Sequence, residues 1–128
     1  MPKNVVIPTG ASPPIAPYSP GTKSGGAVYV SGIVALDSEG NTVGINDIRA
    51  QTRTVLEGIK SVIEQAGGSM SDITLNAIFL KNFEDYAGMN EVYAKYFPES
   101  PPARYCVQAG LVREEFLVEI SSIAHVGD

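Results

Sequence analysis

Arg104, Cys106 and Glu119 are the residues of this chain whose types and settings point to chemistry. They fall in residues 101–124, PPARYCVQAGLVREEFLVEISSIA, which read as two strands joined by a short polar loop. Successive side chains of a strand point to opposite faces. Ala103, Tyr105 and Val107 therefore share one face of the first strand, and Arg104, Cys106 and Gln108 the other. In the second, Phe116, Val118, Ile120 and Ala124 lie opposite Leu117, Glu119, Ser121 and Ile123. With both apolar faces on one helical layer, Arg104, Cys106 and Glu119 look away from it together. A guanidinium and a carboxylate inside apolar strands cost desolvation energy unless they meet partners. The guanidinium recognises a carboxylate through two parallel hydrogen bonds, which lysine cannot reproduce. A carboxylate such as Glu119 moves protons or orients water. The pair is a candidate site, or else an ion pair at a subunit contact, and spacing alone leaves both readings open.

Cys106 admits two readings, nucleophile or pocket lining. The sequence places no base beside it, since His125 stands at the far end of the last strand. A free cysteine that packs like a small apolar residue is the simpler account. With one histidine and one cysteine the chain has too few ligands for a zinc cage. A lone cysteine also excludes an intrachain disulfide.

The elements that must position these residues are legible in outline. Residues 5–7 read as a short strand. Residues 8–21, PTGASPPIAPYSPG, hold five of the nine prolines and read as a stiff extended loop. Tyr18 in that loop either caps the edge of the core or walls a pocket. Residues 27–31 form a strand, Gly32 lets it bend or lets a group approach the backbone, and residues 33–36 continue the sheet. DSEGN at 37–41 is turn chemistry. Asn46 or Asp47 caps a helix running to about residue 66, with Ile48, Val55, Leu56, Ile59, Val62, Ile63 and Ala66 on its apolar face and Gly67-Gly68 as its stop. Residues 73–80 are a strand with Ile73, Leu75, Ala77 and Phe79 on one side. Asn82 caps a second helix over residues 83–97, ended by Pro98, with Asp85 as a weak capping-box partner. Tyr86, Met89, Asn90, Tyr93 and Phe97 are periodic along it, and its aromatics read as core.

Residues 1–128 are expected to form a single domain, at 44% hydrophobic and 18% charged residues that of an ordinary globular protein. A net charge of -5 with no basic run argues against a nucleic-acid surface. No apolar run reaches membrane-span length and the N-terminus lacks a signal-peptide core, so a cytoplasmic protein without membrane contacts is expected. The element order predicts an α+β layer, two helices on one face of a sheet. Its other face, expected to carry Ile78, Leu80, Leu117 and Ile123, is more apolar than a monomer usually exposes. Self-association follows, with the Arg104 and Glu119 face at or near the contact.

Several of these segments together resemble the YjgF/RidA family of enamine and imine deaminases. They are Ala16-Pro17-Tyr18-Ser19, Tyr29-Val30-Ser31-Gly32, Pro102-Ala103-Arg104 through Cys106-Val107, and Val118-Glu119-Ile120 with Ile123-Ala124. Met1-Pro2-Lys3, Gln51-Thr52-Arg53, Gln108-Ala109-Gly110-Leu111-Val112 and Ile123-Ala124-His125 resemble the aminoacrylate-processing branch, which serves pyrimidine degradation. Leu111-Val112 stands where the wider family carries Leu-Pro, and Ser121-Ser122 where a second acid is common. The resemblance implies a chorismate-mutase-like fold with a mostly antiparallel sheet, and a homotrimer with sites between subunits. Its activity would be cofactor-free hydrolysis of 3-aminoacrylate to malonic semialdehyde and ammonia. The alternatives are deamination of 2-iminobutanoate or 2-iminopropanoate, and non-catalytic binding of small carboxylates. In that frame Arg104 anchors the carboxylate and Glu119 works on protons and water. Tyr18, Ser31, Gly32, Asn90 and Cys106 line the pocket. Family members are also described as ribonucleases or translation inhibitors, a reading that the acidic balance and the missing histidine pair disfavour.

Overall fold

The computed structural model describes residues 3–11, 14 and 16–127. Eight elements follow in order: strands β1 (Asn4–Val6), β2 (Gly21–Ser24) and β3 (Ala27–Ile33), helix α1 (Ile48–Gln65), strand β4 (Ile73–Leu80), helix α2 (Tyr86–Tyr96), and strands β5 (Ala103–Gln108) and β6 (Val118–His125). Short 3-10 turns at Met70–Asp72 and Phe83–Asp85 lead into β4 and α2. The sheet has six strands in the order β1-β2-β3-β6-β4-β5. Every pairing is antiparallel except β4 with β5, which α2 joins as a crossover. Among the described residues no helix is long and apolar enough to cross a membrane.

Asp47, rather than Asn46, caps α1, its carboxylate accepting the Ala50 amide at 3.0 Å. Asn46 itself sits at φ 63°. The apolar stripe Val55, Leu56, Ile59, Val62 and Ile63 is buried against Val28, Val30, Ile78, Leu80, Val118 and Ile120. Gly67, at φ 95°, closes the helix, and the Gly68 amide returns to the Ile63 carbonyl. The second helix differs from expectation. Asn82 makes no side-chain cap; residues 83–85 form the 3-10 turn instead, and Asp85 becomes the cap position of α2. β2 was not foreseen, because Gly-Thr-Lys-Ser lacks apolar alternation and is held by pairing with β3.

Gln51 is fully buried and ties α1 to the segment before β6. Its amide nitrogen donates to the carbonyls of Gly44 and Glu115, and its oxygen accepts the Leu117 amide at 2.8 Å. A buried amide satisfied this way fixes the backbone it holds. That backbone leads directly into Glu119.

Candidate functional site

The register of β4 assigns the faces. Asn76 pairs with Arg104 and Ile78 with Cys106, while Phe79 pairs with Glu119. Asn76, Ile78 and Leu80 are buried under the helices. Arg104 and Cys106 therefore point to the helical side and Glu119 to the open side, roughly 10 Å further along β4 at the strand rise. This corrects the expectation that the three share a face. It also corrects the open face itself: Ile78 and Leu80 are core, and the open face carries Tyr29, Tyr105, Val107, Leu117 and Ile123. Tyr105 and Val107 are 52% and 42% exposed rather than packed on the helices. The physical reason is that α2 offers Arg104 an aromatic bed. The guanidinium carbon lies 4.8 Å from the Tyr93 ring centre and 5.7 Å from that of Tyr86, and Nη2 donates to the Tyr86 hydroxyl at 2.9 Å.

Two hollows result. The first is lined by Phe83, Tyr86, Arg104, Tyr105 and Cys106. Among the described residues the salt bridges are Arg49–Glu91 and Lys81–Glu114, and neither involves Arg104. Burial pushes the Cys106 thiol up, against a smaller opposing effect of the Arg104 charge. A thiol so shifted ionises less readily and is the less suited to act as a nucleophile. Asn90 is half-buried on α2 and does not line this hollow.

The second hollow holds about 350 Å³ and is lined by Ala16, Tyr18, Ser31, Gly32, Val34, Val112, Phe116 and Glu119. Ser31 anchors the end of the proline-rich loop, its amide and hydroxyl both donating to the Pro20 carbonyl at 3.0 Å. Of that loop, Ser12, Pro13 and Ile15 lie outside the described residues, as do Met1, Pro2 and Asp128. Between Val30 and Ile33, β3 slips by one residue against β6, a bulge that brings Gly32 over Glu119. A Cβ at Gly32 would overlap Glu119 Oε2. The glycine thus serves both purposes read from the sequence, bend and close approach. Burial raises the Glu119 carboxyl above its ordinary range. A carboxyl so shifted holds a proton closer to neutrality and can both give and take it. His125 is exposed at the strand end and joins neither hollow.

Sequence reasoning thus found Tyr18, Ser31, Gly32 and Glu119 for one hollow and Arg104 and Cys106 for the other. It missed Phe116 and Val112, and it missed Phe83 and Tyr86. The signal for Tyr86 was its place opposite Arg104 once the helix face is registered against β5.

A family model described as Endoribonuclease L-PSP matches residues 9–126. Among curated proteins, the 3-aminoacrylate deaminase RutC of Acinetobacter baylyi is 55% identical over 126 residues, spanning 98% of this chain and 100% of its own. Among solved structures, YEO7 of yeast has a TM-score of 0.92 at 28% identity, covering 98% of this chain and 100% of that one. Escherichia coli TdcF with bound serine has a TM-score of 0.89 at 30% identity, over 97% and 99%.

Proposed function

Since this chain belongs to the Endoribonuclease L-PSP family, the YjgF/RidA family its sequence resembles, we propose that it is a hydrolytic deaminase of reactive enamine and imine acids, with 3-aminoacrylate as substrate. The observation that carries this reading is the 55% identity, along nearly the whole of both chains, to a protein named for that activity. The two hollows support it from the side of physical chemistry. One presents a guanidinium that meets no carboxylate among the described residues and is suited to one, the other a carboxyl whose proton affinity is raised by burial.

Because the two hollows open on opposite faces of one sheet, a complete site needs a neighbouring subunit. Arg104 of one copy then faces Glu119 of the next, in a homotrimer with sites between subunits. Arg104 seats the carboxylate. Protonated Glu119 gives its proton to the α-carbon of 3-aminoacrylate, which turns the enamine into an iminium. The carboxylate left behind takes a proton from water as that water adds to the iminium carbon. It then gives that proton to nitrogen and takes the carbinolamine hydroxyl proton as the C–N bond breaks, which releases ammonia and malonic semialdehyde and leaves Glu119 protonated for the next turnover. Tyr18 and Phe116 would wall the reacting end. A ribonuclease reading finds no support in this set, which has no histidine.

The experiment is ammonia release from freshly generated 3-aminoacrylate, and in parallel from 2-aminoacrylate, measured against the spontaneous rate. Wild type is expected to accelerate the first, with Arg104→Ala and Glu119→Ala both falling to the background. No acceleration by wild type overturns the proposal. The serine held by TdcF favours a second reading, a small-carboxylate binder without turnover; it predicts carboxylate binding that Arg104→Ala loses and Glu119→Ala keeps, with no ammonia released.

A further inference from the structure

Among the described residues, the one hydrogen bond of the Arg104 side chain goes to Tyr86, which the sequence pattern assigned to the core. Tyr86 is instead 43% exposed and lines the Arg104 hollow beside Phe83, Tyr105 and Cys106. A phenol that accepts from a guanidinium keeps its own O–H proton to give. Arg104 is also fixed from beneath. Its guanidinium rests on the Tyr93 ring; the Tyr93 hydroxyl accepts from Asn76 Nδ2 at 2.9 Å, and Ser122 donates to the Asn76 carbonyl oxygen. Asn76, Ser122 and Tyr93 are all buried, so this platform cannot shift without breaking a satisfied internal network. Tyr93 therefore already supplies a rigid aromatic face. A phenylalanine at position 86 would add a second face equally well, and among the described residues the Tyr86 hydroxyl makes its one hydrogen bond to Arg104. Its use has to be sought in the hollow.

Resting on the reading of Arg104 as a carboxylate anchor, we propose that Tyr86 is a second carboxylate-binding residue of the site. Its hydroxyl orients the guanidinium while the hollow is empty and donates its own proton to the substrate carboxylate when the hollow is filled. The ligand class is a small planar carboxylate, seated by two groups of one subunit.

The test is Tyr86→Phe, which keeps the ring under Arg104 and removes only the hydroxyl. Propionate, an unreactive carboxylate, and propionamide, its neutral counterpart, serve as binding probes beside the deaminase assay. The variant is expected to raise the propionate Kd and the KM for 3-aminoacrylate about tenfold or more, as for loss of a hydrogen bond to a charged group. Propionamide binding, kcat and thermal stability should stay as in wild type. An unchanged propionate Kd overturns the proposal, and so does equal weakening of propionate and propionamide, which would mark a packing effect. A fall in kcat at constant KM would place the hydroxyl in proton transfer and equally overturn it. Failure of the parent reading has a different signature: wild-type protein that binds propionate no better than Arg104→Ala does.

Discussion

A site that takes Arg104 from one subunit and Glu119 from the next makes a quantitative demand on mixed assemblies. The perturbation is to co-assemble Arg104→Ala with Glu119→Ala, each expected to be inactive alone, in equal amounts. The chain's own geometry sets the expectation, since Arg104 lies on the helical side with Asn76 and Glu119 on the open side with Phe79. Each site then draws its guanidinium from one chain and its carboxyl from another. Half of the chains supply each intact group, so about a quarter of sites are complete, and about a quarter of wild-type turnover should return. A companion mixture, wild type with the Arg104→Ala/Glu119→Ala double variant, separates the two geometries further. Composite sites again give about a quarter of full activity, whereas sites within one subunit give about half. The assay is ammonia release from 3-aminoacrylate by chains co-expressed in equal amounts and purified together, without selection for mixed assemblies. No recovery in the first mixture together with half activity in the second would refute the composite site and the role assigned to the neighbour.

Three further outcomes are expected. Gly32→Ala puts a methyl where Glu119 Oε2 lies; because the obstructed group is the end of a flexible side chain, the fold should survive while kcat falls by up to about a hundredfold, the scale of an ångström-sized misplacement at a reacting centre, and unchanged kcat would remove Gly32 from the positioning of Glu119. Burial raises the folded Glu119 carboxyl above its unfolded value, so the folded state binds this proton more tightly and the charged form opposes folding. That penalty is absent below the unfolded pKa and complete above the folded one; Glu119→Gln should accordingly melt at or above wild type at neutral pH, the difference closing as pH falls below the ordinary value of 4.5, and a variant less stable than wild type at pH 7 would contradict the burial argument. Gln51→Ala strands the Leu117 amide and the Gly44 and Glu115 carbonyls, for a loss of roughly 3 kcal/mol at about 1 kcal/mol or more each; denaturant unfolding checks it, and a loss under about 1 kcal/mol would show that water replaces the amide.

Much of this arrangement was legible because it depends on local rules. The stripe of α1, the Asp47 cap, the Gly67 stop and β4 follow from periodicity and turn chemistry acting within one segment. Gly32 could be flagged because a glycine inside a strand has few other uses. Period-two alternation, however, states only which residues of one strand share a face. It does not say which face of β5 meets the helices. Tyr105 and Val107 look more like core than Arg104 and Cys106 do, and a rule based on hydrophobicity turns the strand the wrong way. The choice is made by partners distant in sequence: parallel pairing with β4 sets Arg104 beside Asn76, and α2 brings Tyr86 and Tyr93 to receive it. The same long-range dependence hid Tyr86, whose helical spacing matches that of the buried Met89 and Tyr93 although its ring stays exposed.

That orientation of β5 links assembly to chemistry. Turning Arg104 and Cys106 toward α2 leaves Tyr105 and Val107 on the same open face as Tyr29 and Ile123, an apolar surface on which Tyr29, Tyr105 and Val107 stay exposed among the described residues. Burial of such a surface against another copy is favourable in proportion to its area. Glu119 lies on that same face, already desolvated enough to raise its proton affinity, and further loss of water at a subunit contact would raise it more. Arg104, on the opposite side and in neither ion pair formed among the described residues, is the group whose charge a neighbour's site would lack. Association would thus complete the carboxylate anchor and strengthen the acid in one step. An isolated subunit, with each half-site open to water, should bind carboxylates weakly and turn nothing over. Weakening the open face with Tyr29→Lys, a position that lines neither hollow, should therefore lower activity in proportion to the fraction of dissociated subunits seen in sedimentation, with activity recovering as protein concentration rises. Full specific activity from a demonstrably monomeric variant would break the link between the exposed face and the reaction.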